Sequence, residues 1–179
     1  MKQYFGKFLI FGVSVFFMWQ CQPGKNAENG TTTAKIAQLE EKLYGQQGQY
    51  INADAMELMK LYLRFADSLP DDPQSPDYIF KAADISLYQQ PGEATIAMYD
   101  RILKTYPKHE HAPMCLFLKA FVYDNRLNDT ASAHRYYNAF IASWPEHDFA
   151  DDAAVAIRNL GKSPEELIRE FEAQNEGAE

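Results

Sequence analysis

The sequence predicts an all-α fold, an array of about four antiparallel helix pairs, on three observations. Three prolines recur at almost equal spacing: Pro70, Pro107 and Pro145 lie 37 and then 38 residues apart. Their surroundings match, each following a large apolar residue and preceding a polar turn, in FADSLPDDPQSP, ILKTYPKHEHAP and FIASWPEHDFAD. Past residue 33 every apolar run carries helical spacing, and no alternating strand pattern competes. A period in this range is what stacked helical repeats produce. Such an array presents a binding surface rather than a catalytic pocket, so the expected class is scaffold or adaptor.

The chain opens on a targeting pattern. Lys2 and Lys7 precede an uncharged, mostly apolar run at 8–19, which is followed by Gln20, Cys21 and Gln22. Twelve residues are too few to span a bilayer as a helix, which takes about 20, but they suit the apolar region of a secretory signal. Residues 1–20 are therefore read as a signal peptide. Simple cleavage nearby and retention as an uncleaved anchor are both open to such a segment. Residues 21–33 are polar, contain Gly24 and Gly30, and lack periodicity, so they read as a flexible tether spanning about 20 Å. The repeat domain is assigned to 34–175.

Within it the first helix is expected over 34–44, with Ile36, Leu39 and Leu43 on one face. The second covers 53–69, with Asn52 as N-cap and Met56, Met59, Leu63 and Ala66 at helical spacing. Ser75 and Pro76 open the third, serine as cap and proline at the first helical position, and it runs to residue 88. Gln90, Pro91 and Gly92 break the chain before a fourth helix over 93–106. The fifth starts at Ala112 or Pro113 and ends near Arg126. Asn128 and Asp129 supply a turn and a cap for the sixth, over 130–144. The seventh spans 150–160 and stops at Gly161. Ser163 and Glu166, three residues apart, form a capping box for the eighth, which ends near Gln174, and residues 175–179 fray.

Two further regularities follow the prolines. Ala83 and Ala120 each stand thirteen residues after a proline, in the middle of the first helix of a pair. Tyr99 and Tyr137 stand eight residues before the next proline, and Thr95 and Ala133 stand twelve before it. These positions resemble tetratricopeptide repeats, in which small residues let the two helices of a pair approach closely. The resemblance covers 70–148 and implies a right-handed array. Thirteen residues after Pro145 comes Arg158, so the last pair drifts from the pattern and is expected to cap the array. Signal, Cys21, tether and array together resemble the repeat lipoproteins of bacterial envelopes, a group that includes those of the outer-membrane barrel assembly machinery and partner proteins of the Tol–Pal system. The resemblance implies lipidation at Cys21 and an outer-membrane lipoprotein facing the periplasm. The expected function is a non-enzymatic scaffold for a protein or peptide partner. In that family the inner helical face lines a concave groove. Here it would be formed by Phe80, Asp84 and Tyr88, each four residues from the next, and by Phe117, Phe121 and Asn125, offset by 37. Core packing is the competing reading for Phe117 and Phe121, whose helix is apolar nearly all round.

Other chemistry is weakly represented. The net charge of −8 becomes −10 without Lys2 and Lys7, and no basic cluster interrupts it, which disfavours nucleic acid. His109, Glu110 and His111 offer metal-ligand types, but His109 and His147 each follow a repeat proline by two residues and read as turn histidines; no metal or other cofactor is expected. The glycines are too scattered for a phosphate loop, and Cys115 sits in the apolar run APMCLFLKAFVY, away from any evident base. Cys115 reads as a buried free thiol, the alternative being a disulfide with Cys21. An exported periplasmic enzyme or metal-binding protein is the competing functional class. Oligomeric state is not written in the sequence.

Overall fold

The structure, a computed structural model, describes residues 23–45 and 51–176. Among the described residues there are eight α-helices and no strands. They are α1 (Pro23–Tyr44), α2 (Asn52–Ser68), α3 (Ser75–Gln89), α4 (Gly92–Thr105), α5 (His111–Asn125), α6 (Thr130–Ser143), α7 (Ala150–Asn159) and α8 (Pro164–Glu176). Each helix from α1 to α6 packs on its successor, and α3 also touches α5. Short links between helices that pack on each other favour reversal of the chain from one helix to the next. The signal segment 1–20, Cys21 and Gln22 lie outside the described residues. No described helix is long and apolar enough to cross a membrane.

The prolines govern three turns of one design. Leu69, Tyr106 and Trp144, each directly before a proline, share φ/ψ of −133/61°, −126/53° and −139/66°. A following proline ring disfavours αR at the preceding residue, so each helix ends there. The same two hydrogen bonds then close each turn. Asp72, His109 and His147 donate their N–H groups to the carbonyls of Leu69, Tyr106 and Trp144, and Ser75, Ala112 and Ala150 donate to Asp72, His109 and His147. Period in sequence has become period in backbone.

Three apolar clusters run along the stack. The first joins Ile36, Leu43, Leu58, Tyr62, Phe65 and Tyr78 from α1, α2 and α3. The second joins Ile79, Ala83, Tyr99, Ile102, Cys115 and Val122 from α3, α4 and α5. The third joins Ala120, Ala133, Tyr137, Phe140 and Ala153 from α5, α6 and α7. Ala83, Thr95, Ala120 and Ala133 are fully buried where helices meet. Between α3 and α4 Ser86 Oγ and Thr95 Oγ1 share a hydrogen bond at 2.8 Å, which offsets the penalty of burying two hydroxyls.

Several local expectations change. Helix α1 begins at Pro23, not residue 34, so the segment 23–33 assigned to the tether is helical. Pro23 fits a first helical position. Thr32 is buried, and once Ile36 and Leu43 are docked each further residue extends the helix without a new nucleation cost. Asn52 is the first residue of α2 rather than its cap; Ile51 holds the cap position, and the Asn52 side-chain oxygen accepts from Gln89 Nε2 at 3.2 Å. Ser75 does not cap α3 either, because its hydroxyl donates to the Leu69 carbonyl at 2.6 Å and so closes the end of α2. Other signals map directly. Asn128 has φ 52° and Asp129 accepts from the Ser132 N–H at 3.0 Å. Gly161 has φ 76°, where a side chain is strained. Ser163 N–H donates to Glu166 Oε2 at 2.8 Å, and Glu166 N–H donates to Ser163 Oγ at 3.2 Å.

Candidate functional site

Helices α1 and α3 flank a cavity of about 730 Å³ lined by Glu40, Tyr44, Tyr62, Lys81, Asp84, Ile85, Tyr88 and Gln89. The residues come from α1, α2 and α3, and the α3 members recur every three or four positions because that spacing keeps side chains on one helical face. Tyr44 is 58 % exposed and Tyr88 78 % exposed, so two aromatic rings stand at the opening. Glu40 accepts hydrogen bonds from Tyr62 Oη and Lys81 Nζ, both at 2.7 Å. The Lys81 ammonium also lies 5.7 Å from the ring centres of Tyr62 and Tyr78. Burial alone would raise the Glu40 carboxyl, but the Lys81 and Tyr62 hydrogen bonds outweigh it and hold the carboxyl below its usual range. Burial, then the hydrogen bond to Glu40, pushes the Tyr62 phenol well up, which keeps it a donor.

Asp84 differs from Glu40. Among the described residues no hydrogen bond or ion pair holds its carboxylate, and the Lys81 ammonium that lines the same cavity is paired with Glu40 instead. Its carboxylate reaches solvent, yet protein walls it on several sides, and the lost hydration raises it to about 6. The charge is felt beneath the surface: after burial itself, Asp84 is the next cause raising the Tyr99 phenol and the Cys115 thiol, the latter to about 12. The Tyr99 hydroxyl is buried without a hydrogen-bond partner. Cys115 is a free, buried cysteine, and a thiol with that pKa is a poor nucleophile near neutral pH.

No protein-family model and no curated protein matches this chain.

Of the six residues expected on the groove, Asp84 and Tyr88 line the cavity together. Phe80 is half-buried on the second cluster, stacked on His111 at 4.2 Å between ring centres. Phe117 packs into the third cluster against Tyr137, Phe140 and Phe149, with centres 5.2–5.5 Å apart. Phe121 is 36 % exposed, and Asn125 is exposed with its amide donating to the Phe121 carbonyl at 3.2 Å. Neither lines the α1–α3 cavity. Asp124, one residue from Asn125, is half-buried, and burial raises its carboxyl.

Six lining residues escaped the sequence reading: Glu40, Tyr44, Tyr62, Lys81, Ile85 and Gln89. One had a usable signal. Tyr62 stands eight residues before Pro70, as Tyr99 and Tyr137 stand eight before theirs, and all three are fully buried. Glu40 and Tyr44 carry no such mark, because α1 lies ahead of the first repeat proline. The turn histidines are placed as expected in one respect, His109 and His147 each accepting at Nδ1 from the N–H two residues on. Asp77, however, stands against both His109 and His111.

Proposed function

We propose that this chain is a non-enzymatic, membrane-anchored scaffold of the bacterial cell envelope, facing the periplasm from the outer membrane. Its helix pairs form a tetratricopeptide-like right-handed array, and its anchor is lipid on Cys21. The array holds an extended or helical segment of a protein partner along the inner faces of α1 and α3. The observation that carries this reading is Asp84, a carboxylate without a counter-ion, walled by protein and flanked by the exposed ring of Tyr88. An approaching basic side chain supplies the missing cation, while Tyr44 and Tyr88 offer apolar area at low entropic cost. The repeated turns and the fully buried small residues Ala83, Thr95, Ala120 and Ala133 support the tetratricopeptide-like arrangement. At an exposed site the ion pair itself contributes about 1 kcal/mol or less, so the aromatic contacts supply much of the affinity.

The double variant Tyr88→Ala with Asp84→Ala tests the groove. Partner capture from native membranes by crosslinking, compared with wild type, is expected to fall without any fall in the melting temperature. Capture at the wild-type level would place the interface elsewhere and remove the basis of this reading.

A further inference from the structure

Away from that cavity, α3 and the α4–α5 turn bring three metal-ligand side chains together. Asp77 lies in the first turn of α3, His109 in the turn, and His111 at the first position of α5. Asp77 Oδ1 is 3.1 Å from His111 Nε2 and 3.5 Å from His109 Nε2, and the ligand atoms of all three lie within 4.8 Å of one another. In a tetrahedral zinc site with bonds of about 2.0–2.1 Å, adjacent ligand atoms stand about 3.3 Å apart. The two carboxylate–imidazole separations fall on either side of that value. We propose that Asp77, His109 and His111 form a binding site for a divalent first-row metal ion, zinc before others, with a fourth position open to water. Two imidazoles and a carboxylate are the donor set of an open zinc site, and nitrogen with oxygen ligands does not suit calcium or magnesium.

The next repeat shows what packing alone requires. His147 performs the turn role of His109: Nδ1 of each accepts a backbone N–H, from Phe149 at 3.2 Å and from His111 at 3.3 Å. The position matching His111 is Phe149, whose ring packs on Phe117 as that of His111 packs on Phe80. The position matching Asp77, 37 residues on, is Met114. The turn therefore accounts for His109, and aromatic packing accounts for a ring at 111. Neither accounts for an imidazole at 111 facing a carboxylate at 77.

The surroundings suit a ligand set. Side-chain exposures of 42 % for Asp77, 23 % for His109 and 29 % for His111 leave an entry path while keeping the rings held. Stacking on Phe80 fixes the plane of His111. Ligation through His109 Nε2 places the ring proton on Nδ1, so the long 3.3 Å contact there is exchanged for a metal bond. The ion would tie the start of α3 to the start of α5, fixing the spacing between two helices that are separated in sequence by α4. None of these residues lines the α1–α3 cavity, so the site is independent of the proposed partner groove.

The test uses the full chain without an affinity tag of histidines, in detergent, titrated with zinc chloride by calorimetry. Wild type is expected to bind one equivalent saturably and to melt at a higher temperature with zinc than with EDTA. His111→Phe copies the next repeat and preserves the ring packing, so its melt in EDTA should match wild type while its zinc affinity falls at least about tenfold, the lower end of what metal sites lose on perturbation. Asp77→Asn keeps both rings and should show the same loss, which guards against a folding defect in the first variant. Absence of saturable binding by wild type, equal affinity in all three proteins, or a loss confined to one variant would each overturn the three-ligand site.

Discussion

Asp84 shows how one carboxylate couples stability to pH. Its folded pKa of about 6 stands above the unfolded value of 3.8, so between those values the folded chain holds more protons than the unfolded one. Stability therefore falls as pH rises from about 4 to about 6, the reverse of the usual aspartate case. The side chain is substantially exposed, so the effect is screened and modest. Asp84→Asn is expected to melt above wild type at pH 8 and level with it near pH 3.5, as followed by thermal circular dichroism. A variant that melts lower at pH 8 would mean that Asp84 is held by an interaction stronger than its desolvation. Glu40 behaves oppositely because Lys81 and Tyr62 reach it. Neither environment was legible in the sequence, since both depend on which helix faces α3. Asp84 itself was legible, through its i, i+4 relation to Phe80 and Tyr88.

At the scale of the element, the repeat period located the turns well and the caps less well. The prolines at 70, 107 and 145 marked three helix ends because a local steric rule acts on the residue before each. The Ser163–Glu166 box and the Asn128–Asp129 turn were readable for the same reason: their hydrogen bonds lie within a few residues. Asn52 and Ser75 were misread because their polar groups are taken by partners outside their own helices, Gln89 and Leu69. The small residues at Ala83 and Ala120 were readable as close contacts because only the repeat register, not a local bond, places them. Ala120 is fully buried in the third cluster with Ala133, Tyr137 and Phe140. Ala120→Leu adds three carbons where α5 meets α6, and overpacking of this kind costs about 1–3 kcal/mol. Urea denaturation should show that loss with little change in the slope against denaturant. Full retention of stability would mean that the α5–α6 contact has room the packing does not suggest.

For the whole molecule, the clusters follow one another along the stack, each drawing on three or four consecutive helices, so the stack has a direction and two unlike ends. At the far end α8 buries none of its described side chains. At the near end α1 starts two residues after Cys21, and this changes how the proposed anchor would act. A coil of twelve residues would let the domain wander about 20 Å from a membrane. Residues 23–33 as helix rise about 16 Å, at 1.5 Å per residue, and continue without a break into the part of α1 that packs on α2. Lipid on Cys21 would thus hold the array on a helical stalk, close to the surface and with restricted tilt. That geometry matters for a groove built by α1 and α3, because the anchored helix is itself one of its walls. A single acyl chain gives only marginal, reversible attachment, whereas two or more give stable anchoring, so the reading requires a multiply acylated cysteine. Labelled palmitate should enter the wild-type chain and not Cys21→Ser, and the serine variant should leave the membrane fraction on cell breakage. Equal incorporation in the two proteins would remove the lipid from the proposal, while leaving the groove between α1 and α3 to be judged by its own variants.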